Sequence, residues 1–149
     1  MKIIDIITGK KPSLSFEVFP PKTSDTYDSI QASVREIAAL RPSFMSVTYG
    51  ASGGTNRRFT ADIAAEILDA GVTPLAHLTC VGATDAHIDR QLQSFRERGI
   101  ENVLALRGDL PEGTDPEAMP YRYASELAAR IGATGAFCIG GACYPEGHP

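Results

Sequence analysis

Strand-like runs and helix-like stripes alternate along the whole chain, and this alternation restricts the fold more than any other feature. The runs are Leu14–Phe19, Phe44–Tyr49, Pro74–Leu78, Asn102–Leu106 and Ala136–Gly141. The fourth is an unbroken apolar stretch of the kind that buried parallel strands show. Between the runs, apolar residues recur at helical spacing: Tyr27, Ile30, Val34 and Ile37; then Ile63, Ala64, Ile67 and Leu68; then Ile88, Leu92 and Phe95; then Ala124, Leu127, Ala128 and Ile131. Ser24 or Asp25 can cap the first of these helices, and Thr60 and Thr84 open the next two. Gly71, Gly99 and Gly132 stand where a left-handed residue would end a helix. A short helix over Ile3–Ile7 is expected ahead of the first strand. Strands joined by sequence-local helices must run parallel, with right-handed crossovers.

Two α/β architectures satisfy that pattern. One is an open, doubly wound, flavodoxin-like sheet that binds an unrelated ligand at its switch point. The other is a (β/α)8 TIM barrel, which takes about 250 residues. A chain of 149 residues would then hold about the first five β/α units. Polar residues separate the two. Glu17, Thr48, His77, Arg107, Asp109 and Tyr144 fall at or just beyond the carboxyl ends of all five runs. Only in a barrel do all those ends meet at one mouth. The expectation is therefore residues 1–149 as the N-terminal portion of one barrel domain. The Pro- and Gly-containing stretch from Leu110 to Pro120 reads as a loop within that domain.

Composition removes several function classes. Hydrophobic residues at 43% and charged residues at 21% are ordinary for a folded domain. A net charge of −4 without a block of like charges carries no nucleic-acid footprint. Asp5 interrupts the early apolar run, and no later stretch approaches a membrane span. A cytoplasmic protein without membrane or nucleic-acid partners is expected. Cys80, Cys138 and Cys143 make an odd count, which argues for reduced, mostly buried thiols. His77 and Cys80 lack a second ligand pair at zinc spacing, so no metal is expected.

Glu17 lies between Phe16 and Val18. Facing the interior, its carboxyl would favour the protonated form and act as a proton donor; facing outward, it would simply be solvated. Arg107-Gly108-Asp109 follows the fourth run, with a glycine that permits close backbone approach, an acceptor and an anion-binding cation. The same tripeptide also suits a tight surface turn. Gly50-Ala51-Ser52-Gly53-Gly54-Thr55 lacks both nucleotide-loop spacings and reads more simply as a flexible loop. His77 and His148 each suit either a structural or a ligand-facing role, and His87 reads as a surface residue.

Taken together, SFEVFPPK, SVTYGASGGT, HLTC, LALRGDLP and ACYPEGHP stand in this order after successive strands, and the series resembles the methylenetetrahydrofolate reductase family. The likeness runs from about Leu14 to Pro149. It implies a barrel with noncovalent FAD, reduced by NADH or NADPH. The flavin in turn reduces 5,10-methylenetetrahydrofolate to 5-methyltetrahydrofolate, in one-carbon metabolism and methionine supply. Glu17 matches the family's proton donor and Asp109 its aspartate beside the flavin and the pterin, the two catalytic positions. Thr48, His77, Leu106, Arg107, Gly108, Asp109, Tyr144 and His148 match cofactor-binding positions. The run Asn56-Arg57-Arg58-Phe59-Thr60 departs from the family's pattern after the second strand. The family also continues past the GHP motif with three more strands and further folate and nicotinamide contacts. A segment of this length is therefore expected to leave two sheet edges open, to be unstable or oligomeric alone, and to have little activity. A homo-oligomer, an electron-donating partner subunit and a non-catalytic barrel fragment stay open as alternatives.

Overall fold

The computed structural model describes residues 1–9, 11–21, 26–49, 57–110 and 112–146. Ser24, Asp25, the glycine-rich stretch 50–55, Asn56 and His148 lie outside them. The elements are α1 (Ile3–Ile7), β1 (Ser15–Val18), α2 (Tyr27–Ala39), β2 (Phe44–Val47), α3 (Arg57–Asp69), β3 (Pro74–Thr79), α4 (Asp85–Glu97), β4 (Asn102–Leu106), α5 (Ala124–Ala133) and β5 (Cys138–Gly141). The alternation read from the sequence is thus the observed order of elements.

The strands form one parallel sheet in the order β1-β2-β3-β4-β5. Among the described residues every strand pairs with its sequence neighbour, and the sheet shows no switch point. That overturns the flavodoxin-like alternative, which requires strand order to reverse. Right-handed crossovers between sequential neighbours put α2, α3, α4 and α5 on one face. On that face Met45, Val47, Ala76, Leu78, Val103 and Ala105 are buried. They join Val34 of α2, Ile63 and Ile67 of α3, Ile88, Leu92 and Phe95 of α4, and Leu127 and Ile131 of α5 in one hydrophobic cluster. Side chains alternate across a strand, so the intervening residues form the opposite, inner face. The register places Glu17 beside Ser46, Ser46 beside Leu75, His77 beside Leu104 and Leu104 beside Gly140. Among the described residues, β1 and β5 each pair on one side only.

Several local expectations change. Thr60 does not cap α3; it lies one turn inside the helix, fully buried, and its hydroxyl donates to Thr48 O at 3.0 Å. Gly132 does not end α5 either; it is helical, and the left-handed residue is Gly135 with φ +64°. Helix α2 ends without a glycine, through Arg41 at φ 54°, a conformation that costs an L-residue roughly 1–2 kcal/mol. Thr84 caps α4 as expected, its hydroxyl accepting from His87 N at 3.3 Å.

The amino-terminal segment is fastened beneath the sheet by Asn102, which is 1% exposed at the start of β4. Its side-chain oxygen accepts from Ile3 N at 2.8 Å, and its amide donates to Met1 O at 3.0 Å and Pro74 O at 3.1 Å. The Met1 ammonium adds an exposed ion pair with Glu101 at 2.7 Å. Replacing Asn102 by Ala strips partners from several backbone groups at once, two of them in buried contacts with Ile3 and Pro74. Asn102→Ala is expected to cost about 2–4 kcal/mol, read as a lowered denaturant midpoint with an unchanged slope.

Candidate active site at the carboxyl edge of the sheet

The carboxyl ends of β2, β3, β4 and β5 and the amino end of α5 surround a cavity of about 420 Å³, within the size range of small-molecule and cofactor sites. Its wall includes Thr48, His77, Leu106, Arg107, Gly108, Asp109 and Tyr144, all singled out from the sequence. It also includes Tyr49, Thr79, Tyr123, Ala124 and Ala142, which were not. The period-two alternation could have marked Thr79, which shares the inner face with His77. Tyr123 and Ala124 reach the wall only because α5 folds back across the sheet, which no local pattern announces.

The β3–β4 ladder continues past both strands to build the floor. Cys80 N–H donates to Leu106 O at 3.1 Å and Val81 N–H to Arg107 O at 2.8 Å. Gly108 then turns at φ +86°, and a Cβ there would sit 2.8 Å from Val81 Cγ1 and 3.1 Å from Thr79 Cβ. The glycine expected to let backbone approach a ligand is thus already required by the protein's own packing. Arg107 Nε donates to Gly108 O at 3.3 Å, and Asp109 stands exposed at the rim.

Polar clasps outside the cavity hold α5 in place. The Glu126 carboxylate accepts from Tyr123 N–H at 2.9 Å and Arg122 N–H at 2.6 Å. Those backbone bonds hold its pKa below the usual range. Arg130 grips Asp89 through two nitrogens at 3.0 and 2.7 Å, and it also meets Asp85 at 2.9 Å. Tyr121 donates to Asp85 at 2.6 Å; burial first, then this bond, pushes the phenol up to about 12.

Glu17 does not line the cavity; it stands next to it on the inner face. Its side chain is 46% exposed, so of the two environments open to it from the sequence the partly solvated one is observed. Its Oε2 lies 3.2 Å from Ser46 Oγ and 3.5 Å from His77 Nε2. His77 is buried, and burial holds its imidazole below the ordinary histidine value, with Glu17 opposing in part. The ring is therefore neutral at neutral pH. Cys80 turns the other way, its sulfur against Arg107 O at 3.9 Å and Tyr123 O at 3.8 Å, and burial pushes the thiol up to about 11. His77 and Cys80 thus do not converge on one centre. The expectation of mostly buried thiols holds for Cys80, whereas Cys143 is exposed. His87 is half-buried rather than a surface residue, with Nε2 2.9 Å from Tyr49 OH.

A singly wound parallel sheet with alternating helices and a cavity at its carboxyl edge places the chain in the β/α class, whose sites lie at the carboxyl ends of the strands. The chain belongs to the methylenetetrahydrofolate reductase family, whose model matches residues 2–149. It is 39% identical over 138 residues to the 5,10-methylenetetrahydrofolate reductase of Pectobacterium carotovorum, and equally so to that of Escherichia coli K12, covering 92% of this chain and 45% of each relative. It is 35% identical over 161 residues to the Arabidopsis thaliana protein named methylenetetrahydrofolate reductase (NADH) 1, covering all of this chain and 27% of that one. The chain therefore spans less than half the length of these relatives. No helix among the described residues is long and apolar enough to cross a membrane.

Two outcomes follow. Gly108→Ala is expected to lose about 2–4 kcal/mol from the left-handed φ and the clash, measured as a lowered Tm, with Val81→Ala in the same chain restoring part of it. For His77, the unfolded ring takes up a proton near 6.5 while the native ring resists it. Stability is then complete above about pH 6.5 and falls as pH drops through the lowered native pKa. Denaturant midpoints should decline as pH falls below about 6.5, and His77→Gln should flatten that decline. The losses from Asp89, Glu101 and Glu126 set in only at lower pH, below the ordinary carboxylate values of 3.8 and 4.5, and run on down through their lowered native pKa values.

Proposed function

We propose that residues 1–149 are the N-terminal portion of a flavin-binding (β/α)8 barrel that reduces 5,10-methylenetetrahydrofolate to 5-methyltetrahydrofolate. The observation that carries this reading is the convergence of seven family-matched residues on one cavity wall in a chain that matches the family throughout. The strand order supports the barrel, since five sequential parallel strands with helices on one face are what its first five units require.

The cavity's chemistry fits a flavin. Leu106, Ala124 and Ala142 supply apolar wall, His77, Thr48 and Arg107 supply polar contacts, and the first turn of α5 presents the positive end of a helix dipole. When bound, FAD would supply the hydride chemistry, with NADH or NADPH as the electron source; the Arabidopsis relative's name favours NADH. The chain's own residues then bind, orient and move the proton. Asp109, at the rim, would accept from polar ring edges of the flavin and the pterin. Glu17 would deliver a proton to the folate nitrogen as the methylene bridge opens, which leaves an iminium carbon to accept hydride. The half-exposed position of Glu17 beside the cavity gives it access to a substrate seated over the flavin. Thr48, Leu106, Gly108 and Tyr144 would complete the cofactor contacts, joined by His148 from the fifth-strand motif. The whole protein would act in one-carbon metabolism.

The test uses the complete reading frame that contains this chain. Its purified product should show a flavin absorbance band that bleaches with anaerobic NADH or NADPH. Glu17→Gln should still bleach yet slow the folate half-reaction by about 100-fold or more, the scale of general-acid catalysis. A colourless product would sink the flavin reading, and undiminished folate reduction in Glu17→Gln would sink the proton-donor role.

A further inference from the structure

Glu17 and Ser46 are register partners on β1 and β2, so their side chains leave the sheet together on the inner face. The two differ in freedom. Ser46 is 8% exposed and held within the sheet, whereas the Glu17 side chain is 46% exposed. Ser46 Oγ donates to Oε2 of Glu17 at 3.2 Å, and His77 Nε2 approaches the same oxygen to 3.5 Å. Both contacts fall on one carboxyl oxygen, Oε2, of a side chain that is about half exposed as a whole.

We propose that Ser46 is a positioning residue that, with His77, pins Oε2 of Glu17 against the sheet so that Oε1 is the oxygen presented to the substrate. The proposal rests on the reading of Glu17 as the proton donor. A carboxylic acid protonated on Oε1 keeps Oε2 as an acceptor before and after transfer, so the serine hydroxyl need not turn during turnover. As the Oε1–H bond breaks and the folate N–H bond forms, Oε2 gains negative charge. The Ser46 hydrogen bond strengthens with that charge, as hydrogen bonds to ionised acceptors do. An interaction that grows along the reaction coordinate raises kcat more than it lowers KM. Ser46 therefore acts on the rate while touching neither substrate nor flavin.

The experiment compares Ser46→Thr with Ser46→Val, two variants of nearly one shape that differ by the hydroxyl, in the complete reading frame. Ser46→Ala serves as a third. Val and Ala should slow the folate half-reaction by about 10-fold, the scale of one lost hydrogen bond, with KM little changed. Thr should retain the parent rate. In a Glu17→Gln background the Val and Ala substitutions should have no further effect. A second readout needs no cofactor: the His77 ring, followed by NMR. Once Ser46 no longer holds the carboxylate nearby, His77 should titrate at lower pH in Val and Ala, the direction of its shift in Glu17→Gln, and near the parent pH in Thr. The other ionisable groups around the cavity, Arg107, Asp109, Tyr49, Tyr123 and Tyr144, are common to all variants. Equal rates in Thr and Val, or an equal slowing of both half-reactions, would overturn the proposal. So would an unmoved His77 titration in Val and Ala. If Glu17→Gln itself leaves folate reduction intact, the proton-donor reading falls instead, and the His77 titration still decides whether Ser46 holds the carboxylate.

Discussion

The cavity depends on the continuation of the β3–β4 ladder past its strands, where Cys80 and Val81 donate to Leu106 and Arg107. Those two bonds carry a parallel pairing into what would otherwise be two independent loops. They fix the backbone from which Arg107, Gly108 and Asp109 emerge, and they bring Val81 and Thr79 so close that residue 108 has room for no Cβ. The buried Cys80 thiol lies beneath, against the carbonyls of Arg107 and Tyr123. Burial keeps that sulfur protonated and unreactive, so it serves as packing between the floor and the start of α5.

Around that floor, each side of the sheet handles a different cost. The helix-covered face carries the hydrophobic cluster. The inner face carries Glu17, Ser46 and His77, and the three limit one another. Glu17 stays partly in solvent, Ser46 donates to it, and His77 gives up its proton because it is buried. A neutral imidazole beside a half-solvated carboxylate avoids a buried ion pair, whose desolvation would offset much of its attraction. The site thus keeps polar groups available without weakening the core behind them.

Much of this was legible beforehand. Apolar spacing located all five strands and the four longer helices, and the polar residues at the strand ends pointed to a common mouth; seven of those named as ligand contacts share one wall. Misreadings arose where a residue type suits two environments. Thr60 has the composition of a cap but is buried to hold Thr48; Gly132 has that of a helix terminator but stays helical; His87 looks like a surface residue but meets Tyr49. For Glu17 both environments stayed open, since alternation specifies a face and says nothing of how much water reaches it.

The sequence by itself determined the parallel β/α order, the covered apolar face, the family and the residues offered at the strand ends. The order, the face and the strand-end residues follow from short-range periodicity and from chemistry at single positions; the family follows from the likeness of the ordered strand-end motifs. Only the tertiary structure decided that the strands lie in sequential order without a switch point. It alone brought Tyr123 and Ala124 to the cavity and set Ser46 and His77 on one oxygen of Glu17. Register and helix placement are set by packing between segments distant in the chain, and no local pattern encodes which oxygen a neighbour's hydroxyl will reach.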